Sequence, residues 1–188
     1  MDFLGRFRPS SPVECSCSNL LVRVQIDVGF GDAVRPTEIT FPSLLDFPKS
    51  SLRADPRENS IAEKLDAMIQ LSIANTGMKD CFDIWHLSRV FPFRGGELAE
   101  TIRATFERRS SPLPASIPLG LSDEFARDPA KRLQWRAFWK KAVRRNPMPE
   151  LPELVAAVAQ FLLPSISAAR RGEAFRSVWT PGGPWQPV

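Results

Sequence analysis

Pro56 divides the chain between two hydrophobic rhythms, and no fold built from one kind of element satisfies both. Before it, Val22, Val24, Ile26 and Val28 alternate with Leu21, Arg23, Gln25 and Asp27, the two-residue period of a strand with one face buried. After it, Ile61, Leu65, Met68, Ile69 and Ile73 recur at spacings of three and four, as on a helix with one apolar face. The expected fold class is α+β, with a strand-containing segment over 1–56 followed by a predominantly helical domain over 57–188.

Within the first segment, residues 1–18 show no period and are expected to form an irregular leader. Asp27 falls on the face of its strand opposite the valines, and the glycines and Asp32 at 29–32 break that strand. Thr37-Glu38-Ile39-Thr40-Phe41 supplies a second short extended run before Pro42. Two strands do not make a stable sheet alone. Further partners are expected from the leader, from a helix laid across the pair, or from another chain.

The prolines fence the helices. The first is expected to run from 57 to a stop near Asn75-Thr76-Gly77, and the second from Lys79-Asp80 to about Phe91, stopped by Pro92. A third, over about 97–108, buries Leu98, Ile102 and Phe106, and a linker follows at 110–114. Asp128-Pro129 reads as an N-cap followed by proline, opening a helix that Asn146-Pro147-Met148-Pro149 ends. The last helix, about 152–170, buries Leu154, Val155, Val158, Phe161 and Leu162, with a kink expected at Pro164. Trp179 and Trp185 flank a turn in the tail, which is expected to strap back onto the helices.

At 188 residues and 43% hydrophobic content, the chain suffices for one substantial domain or for two small ones sharing a core. No apolar run approaches the roughly 20 residues that span a bilayer, and the N-terminus lacks the apolar core of a signal peptide. A soluble cytoplasmic protein with no membrane partner is expected. Cys15, Cys17 and Cys81 have no zinc spacing and read as reduced thiols. His86 is the only histidine, which excludes mechanisms needing two imidazoles, and within its helical pattern it reads as a packed residue. The charge is uneven: Lys131, Arg132, Arg136, Lys140, Lys141, Arg144 and Arg145 stand together without an intervening acid, so the rest of the chain is net acidic although the total is +4.

Taken singly, the candidate chemical residues have plain explanations. Asp27 is a strand residue near a turn, Asp80 and Asp83 suit the first turn of a helix, and Lys64 flanks the apolar face of its helix. Arg132, Arg136, Lys140 and Arg144 recur every four residues, a positive stripe suited either to solvent or to an RNA backbone. Trp135, Phe138, Trp139 and Val143 occupy another face of that helix and read as core.

Their order along the chain carries more. Gln25-Ile26-Asp27-Val28-Gly29-Phe30-Gly31-Asp32, then Phe41-Pro42-Ser43-Leu44-Leu45, then Arg57-Glu58-Asn59-Ser60-Ile61-Ala62-Glu63-Lys64, then Met78-Lys79-Asp80-Cys81-Phe82-Asp83-Ile84 together resemble the AbiEii/AbiGii nucleotidyltransferase toxin family, from about Val22 to the tryptophan-rich tail. The resemblance implies that the N-terminal strands are part of a nucleotidyltransferase-type sheet. It implies a toxin of a toxin–antitoxin or phage-defence system that transfers a nucleotide from a nucleoside triphosphate (NTP) to an acceptor such as RNA, with Mg2+ as cofactor and an antitoxin as partner. By the same resemblance Asp27 is a metal-site carboxylate, Lys64 a contact to the nucleotide phosphates and Asp80 a catalytic-site acid, with Lys79 and Asp83 beside the nucleotide. The family also carries a Gly-Ser turn followed by an Asp-x-Asp pair, and this chain has neither. A shortened family member of impaired activity is therefore expected, or alternatively a non-catalytic remnant that binds RNA, a nucleotide or a partner protein.

Overall fold

In a computed structural model of the chain, the residues described are 11–17, 20–26, 37–41, 43, 46, 48–71, 78–142 and 147–188. They fall into two compact units, Met1–Val34 and Arg35–Val188. The first contains an antiparallel hairpin of β1 (Ser11–Cys17) and β2 (Leu20–Ile26), in register from Ser11 opposite Ile26 to Cys17 opposite Leu20. A strand at Ser11–Cys17 corrects the expectation of an irregular leader. Its signal is the alternation of Val13, Cys15 and Cys17 with Glu14 and Ser16. Asp27, Val28 and the break at 29–32 lie outside the described residues.

The second unit opens with another hairpin, β3 (Thr37–Phe41) against β4 (Ser50–Ala54), with Ile39 opposite Leu52. β2 and β3 thus each pair with a neighbour in sequence. β4 escapes a pattern reading because Ser50-Ser51-Leu52-Arg53 has neither alternation nor β-branched residues, so pairing with β3 defines it.

Helices α1 (Arg57–Leu71), α2 (Met78–Val90), α3 (Gly95–Arg108), α4 (Asp123–Arg127), α5 (Pro129–Ala142) and α6 (Leu151–Arg171) make up most of the unit. The expected end of the first helix at 75–77 lies outside the described residues. The periodicity that defines α1 and α3 is the periodicity of their burial: Ile61, Leu65, Leu98, Ile102 and Phe106 are wholly inaccessible to solvent. Asp128 caps α5 as its sequence requires, its Oδ1 accepting the backbone N–H of Lys131 at 2.8 Å. The short α4, absent from the sequence expectations, starts where Ser122 Oγ accepts from Phe125 N at 3.3 Å.

Helix α6 is the hub, with α2, α3 and α4 packed against it. By length and composition it is apolar enough to cross a membrane, but half of its most apolar stretch is buried in this core. Gly172 ends it in the left-handed region at φ 65°, a conformation that costs a residue without a side chain little. The tail then forms β6 (Ser177–Trp179) and β7 (Trp185–Pro187), which extend the two-residue strand β5 (Phe93–Arg94) in the order β5-β6-β7. Trp179 Nε1 donates to Ser88 O at 2.7 Å in the last turns of α2, and Trp185 Nε1 donates to Phe161 O of α6 at 3.0 Å.

Two substitutions separate core burial from strap bonding. Leu154→Ala, at a site with no solvent exposure, is expected to destabilise by about 2–5 kcal/mol through lost transfer energy and a cavity. Trp179→Phe keeps an aromatic ring but removes one of two donors to Ser88 O, the other being the backbone N–H of Gly182 at 3.0 Å, and the lost bond is expected to cost about 0.5–1.5 kcal/mol. Chemical denaturation midpoints of the two variants against the parent check both values.

Candidate functional site

Lys64 lies on α1 one residue before Leu65, which is fully buried, so its stem runs along the packed face while its ammonium reaches α2. There it donates to Asp83 Oδ2 at 2.7 Å and to Asp80 Oδ1 at 3.3 Å. Asp80 and Asp83 are three residues apart, which sets both carboxylates on one face of the first turns of α2. Lys79 adds a second donor to Asp83 Oδ2 at 2.9 Å. The side chains of Lys64, Asp80 and Asp83 are each about a quarter exposed, and that of Lys79 is 73% exposed. The cluster therefore sits at the wall of the core with one face toward water.

Its electrostatics are coupled. Burial works against the Lys64 ammonium, but the hydrogen bond and charge of Asp83, with those of Asp80, outweigh it and raise the lysine above its ordinary value. Burial likewise opposes the Asp83 carboxylate, and the hydrogen bonds and charges of Lys64 and Lys79 outweigh it, holding Asp83 below its ordinary value. Both groups stay charged through the neutral range. Between the two acids, Cys81 is buried and free, and burial with the neighbouring Asp80 charge pushes its thiol up to about 12. It is no nucleophile at neutral pH.

The other sequence candidates are distributed as follows. Asp27 and Arg144 lie outside the described residues. Arg132, Arg136 and Lys140 are exposed along α5, with Arg132 Nη2 lying 3.4 Å from Glu150 Oε2. Trp135 and Trp139 are buried on its other side, as core. His86 differs from expectation: it is exposed, its ring stacked on Phe82 with centroids 5.9 Å apart. It lies three residues beyond Asp83, one turn further along α2.

Among the described residues no group of three or more His, Cys, Asp or Glu side chains is placed to hold a metal ion. Asp80 and Asp83 direct oxygens at ammonium groups. These residues by themselves do not fit the Mg2+ that the resemblance implies. A second ionic cluster went unread in the sequence: Glu63 and Asp66 of α1 meet Arg108 and Arg109 at the end of α3. The signal available was the pair of acids three residues apart on the helix that carries Lys64.

The two shifted groups give stability opposite pH limits. Asp83, depressed in the folded state, contributes stability above its unfolded-state value that is lost as pH falls through its folded value. Lys64, raised, contributes below its unfolded-state value and loses that contribution as pH rises through its folded value. Asp83→Asn is therefore expected to be less stable than the parent at neutral pH, with the gap closing in acid. Denaturation midpoints of both proteins across acidic and neutral pH measure it.

The family model described as nucleotidyl transferase AbiEii toxin, type IV toxin–antitoxin system, matches residues 13–160, a span that includes most of β1 with Lys64, Asp80 and Asp83 and stops short of the tryptophan-rich tail. No curated protein and no solved structure matches the chain. With most of its length covered by that one model, the chain belongs to the AbiEii nucleotidyl transferase toxin family of type IV toxin–antitoxin systems.

Proposed function

We propose that this chain is a cytoplasmic nucleotidyltransferase toxin that moves a nucleotide from an NTP to an RNA acceptor, with Lys64, Asp80 and Asp83 at the reacting end. The family implies an antitoxin as its partner. The observation that carries the reading is the convergence of Lys64, from one helix, on two carboxylates of the next. Nucleotidyl transfer asks little covalent chemistry of a protein; it asks for positioned charge.

In this reading Asp83, the closer partner at 2.7 Å, aims the ammonium, and Lys64 offsets the charge that develops on the phosphates. Asp80, the looser partner at 3.3 Å, takes the proton of the attacking hydroxyl. A bond forms from that oxygen to the α-phosphorus, the bond from the α-phosphorus to the bridging oxygen breaks, and pyrophosphate leaves. Lys79, mostly exposed, is a further cation for the triphosphate. Asp27 is assigned the metal-site carboxylate on the family resemblance. Because the chain has no Gly-Ser dipeptide and no Asp-x-Asp pair, weak transfer is expected.

The assay is incubation with labelled NTPs, magnesium and bulk tRNA. Lys64→Ala and Asp80→Ala are each expected to lower transfer by about 100-fold or more, and Asp27→Ala to abolish it. Transfer indifferent to all three rejects these assignments. The basic stripe read in the sequence supplies the acceptor's backbone contacts: replacing Arg132, Arg136, Lys140 and Arg144 by alanine is expected to reduce the slope of log affinity against log salt by about 3, at about 0.7 per phosphate for single-stranded RNA. Fluorescence anisotropy across a salt series reads this slope. Salt-dependent RNA binding without any transfer identifies a non-catalytic binding protein instead.

A further inference from the structure

Helix α1 presents charge in two directions. Lys64 reaches α2, while Glu63 and Asp66 reach the end of α3. Arg109 Nη1 donates to Asp66 Oδ2 at 3.0 Å, its Nη2 lies 3.5 Å from Glu63 Oε1, and Arg108 Nη2 approaches the same Glu63 oxygen at 3.4 Å. Asp66 is 3% exposed, and its second oxygen, Oδ1, has no hydrogen-bond partner.

A buried carboxylate with one oxygen unmatched is a poor device for stability, since close-packed apolar side chains serve as well or better. What a buried carboxylate held by an arginine at the surface supplies is register, because few arrangements of the helices keep the pair in contact. Here the register in question is the rotation of α1 about its own axis. On a helix with a Cα radius of about 2.3 Å, a turn of about 20° moves the backbone of Lys64 by about 0.8 Å, and its ammonium, farther from the axis, by more. That displacement carries a 2.7 Å contact beyond the range of a charge-assisted hydrogen bond.

We propose that Arg109 and Asp66 are positioning residues for the Lys64 site: they clamp α1 to α3 at the rotation that delivers the ammonium to Asp83 and Asp80. Neither touches a reacting atom in this scheme. The functional weight of the clamp rests on the role given to Lys64 above, whereas the clamp itself is a statement about where the ammonium lies. Removing Arg109 takes the hydrogen bond from Asp66 and one of two contacts from Glu63, which Arg108 still holds.

The test uses the full chain. The groups facing Asp83 are Lys64 from α1 and Lys79 and Asp80 from α2, and the Asp83 carboxyl carbon is followed by NMR through a pH titration. In Arg109→Gln the Asp83 midpoint is expected to rise toward the ordinary carboxylate value, and transfer to fall by about 100-fold, the scale of a displacement of about 1 Å at a reacting group. Arg109→Lys, which keeps a cation for Asp66, is expected to recover part of both. An Asp83 midpoint identical to the parent's in a folded Arg109→Gln protein overturns the clamp. Should that variant fail to fold, Asp66→Asn combined with Arg109→Gln removes both charges of the pair, the buried one included, and is judged by the same midpoint. Lys64→Ala separates the two ideas: undiminished transfer there sinks the role of Lys64, while the Asp83 midpoint in Arg109→Gln still decides the clamp.

Discussion

Helix α6 turns a continuous face into the core along most of its length. Leu154, Val158, Phe161, Leu162 and Ser165 are fully buried, with Leu151, Val155 and Ile166 nearly so. Each large apolar side chain removed from water contributes about 1.5–3 kcal/mol, and no other helix of Arg35–Val188 buries as many residues. The positions of α2, α3 and α4 follow from covering this one rod. Helix α1, packed on α2 and α3, takes its place at second hand. The ion pairs are consequences of that packing: Lys64 meets Asp83 because α1 packs on α2, which itself lies against α6.

Much of this was legible in the chain. Periodic apolar residues separated by prolines define α1, α2, α3, α5 and α6, because a helix with one buried face must repeat near every 3.6 residues and proline cannot continue it. Asp128-Pro129 marked the start of α5 through local capping chemistry alone. The strands were less transparent. β3 has alternation and β-branched residues, whereas β4 is defined by its neighbour, and β1 hides its alternation in cysteines and serines. Pairing is a property of two segments, and a reading along one segment sees half of it.

The site divides in the same way. The spacing of Asp80 and Asp83 places them on one helical face, so their company was foreseeable, as was a lysine stem packed at the edge of α1. That Lys64 would bind both acids required the crossing of two helices, which no local pattern encodes. Glu63, Asp66, Arg108 and Arg109 were invisible for the same reason, their contacts joining positions more than 40 residues apart. His86 shows the reverse error. An aromatic in a helical run reads as core, yet its place one step round from Trp85 turns it to the surface, where Phe82 shelters a single face of the ring.

The bond from Trp179 to Ser88 spans 91 positions of the chain and holds the far end of the helix that bears Asp80 and Asp83. During synthesis, Ser88 leaves the ribosome long before its tryptophan does. A nascent chain arrested anywhere in that interval carries the two acids on a helix still lacking its final anchor. For a protein of a toxin family, an unfinished copy thus carries both acids on a helix that has not yet received the contact of the tail.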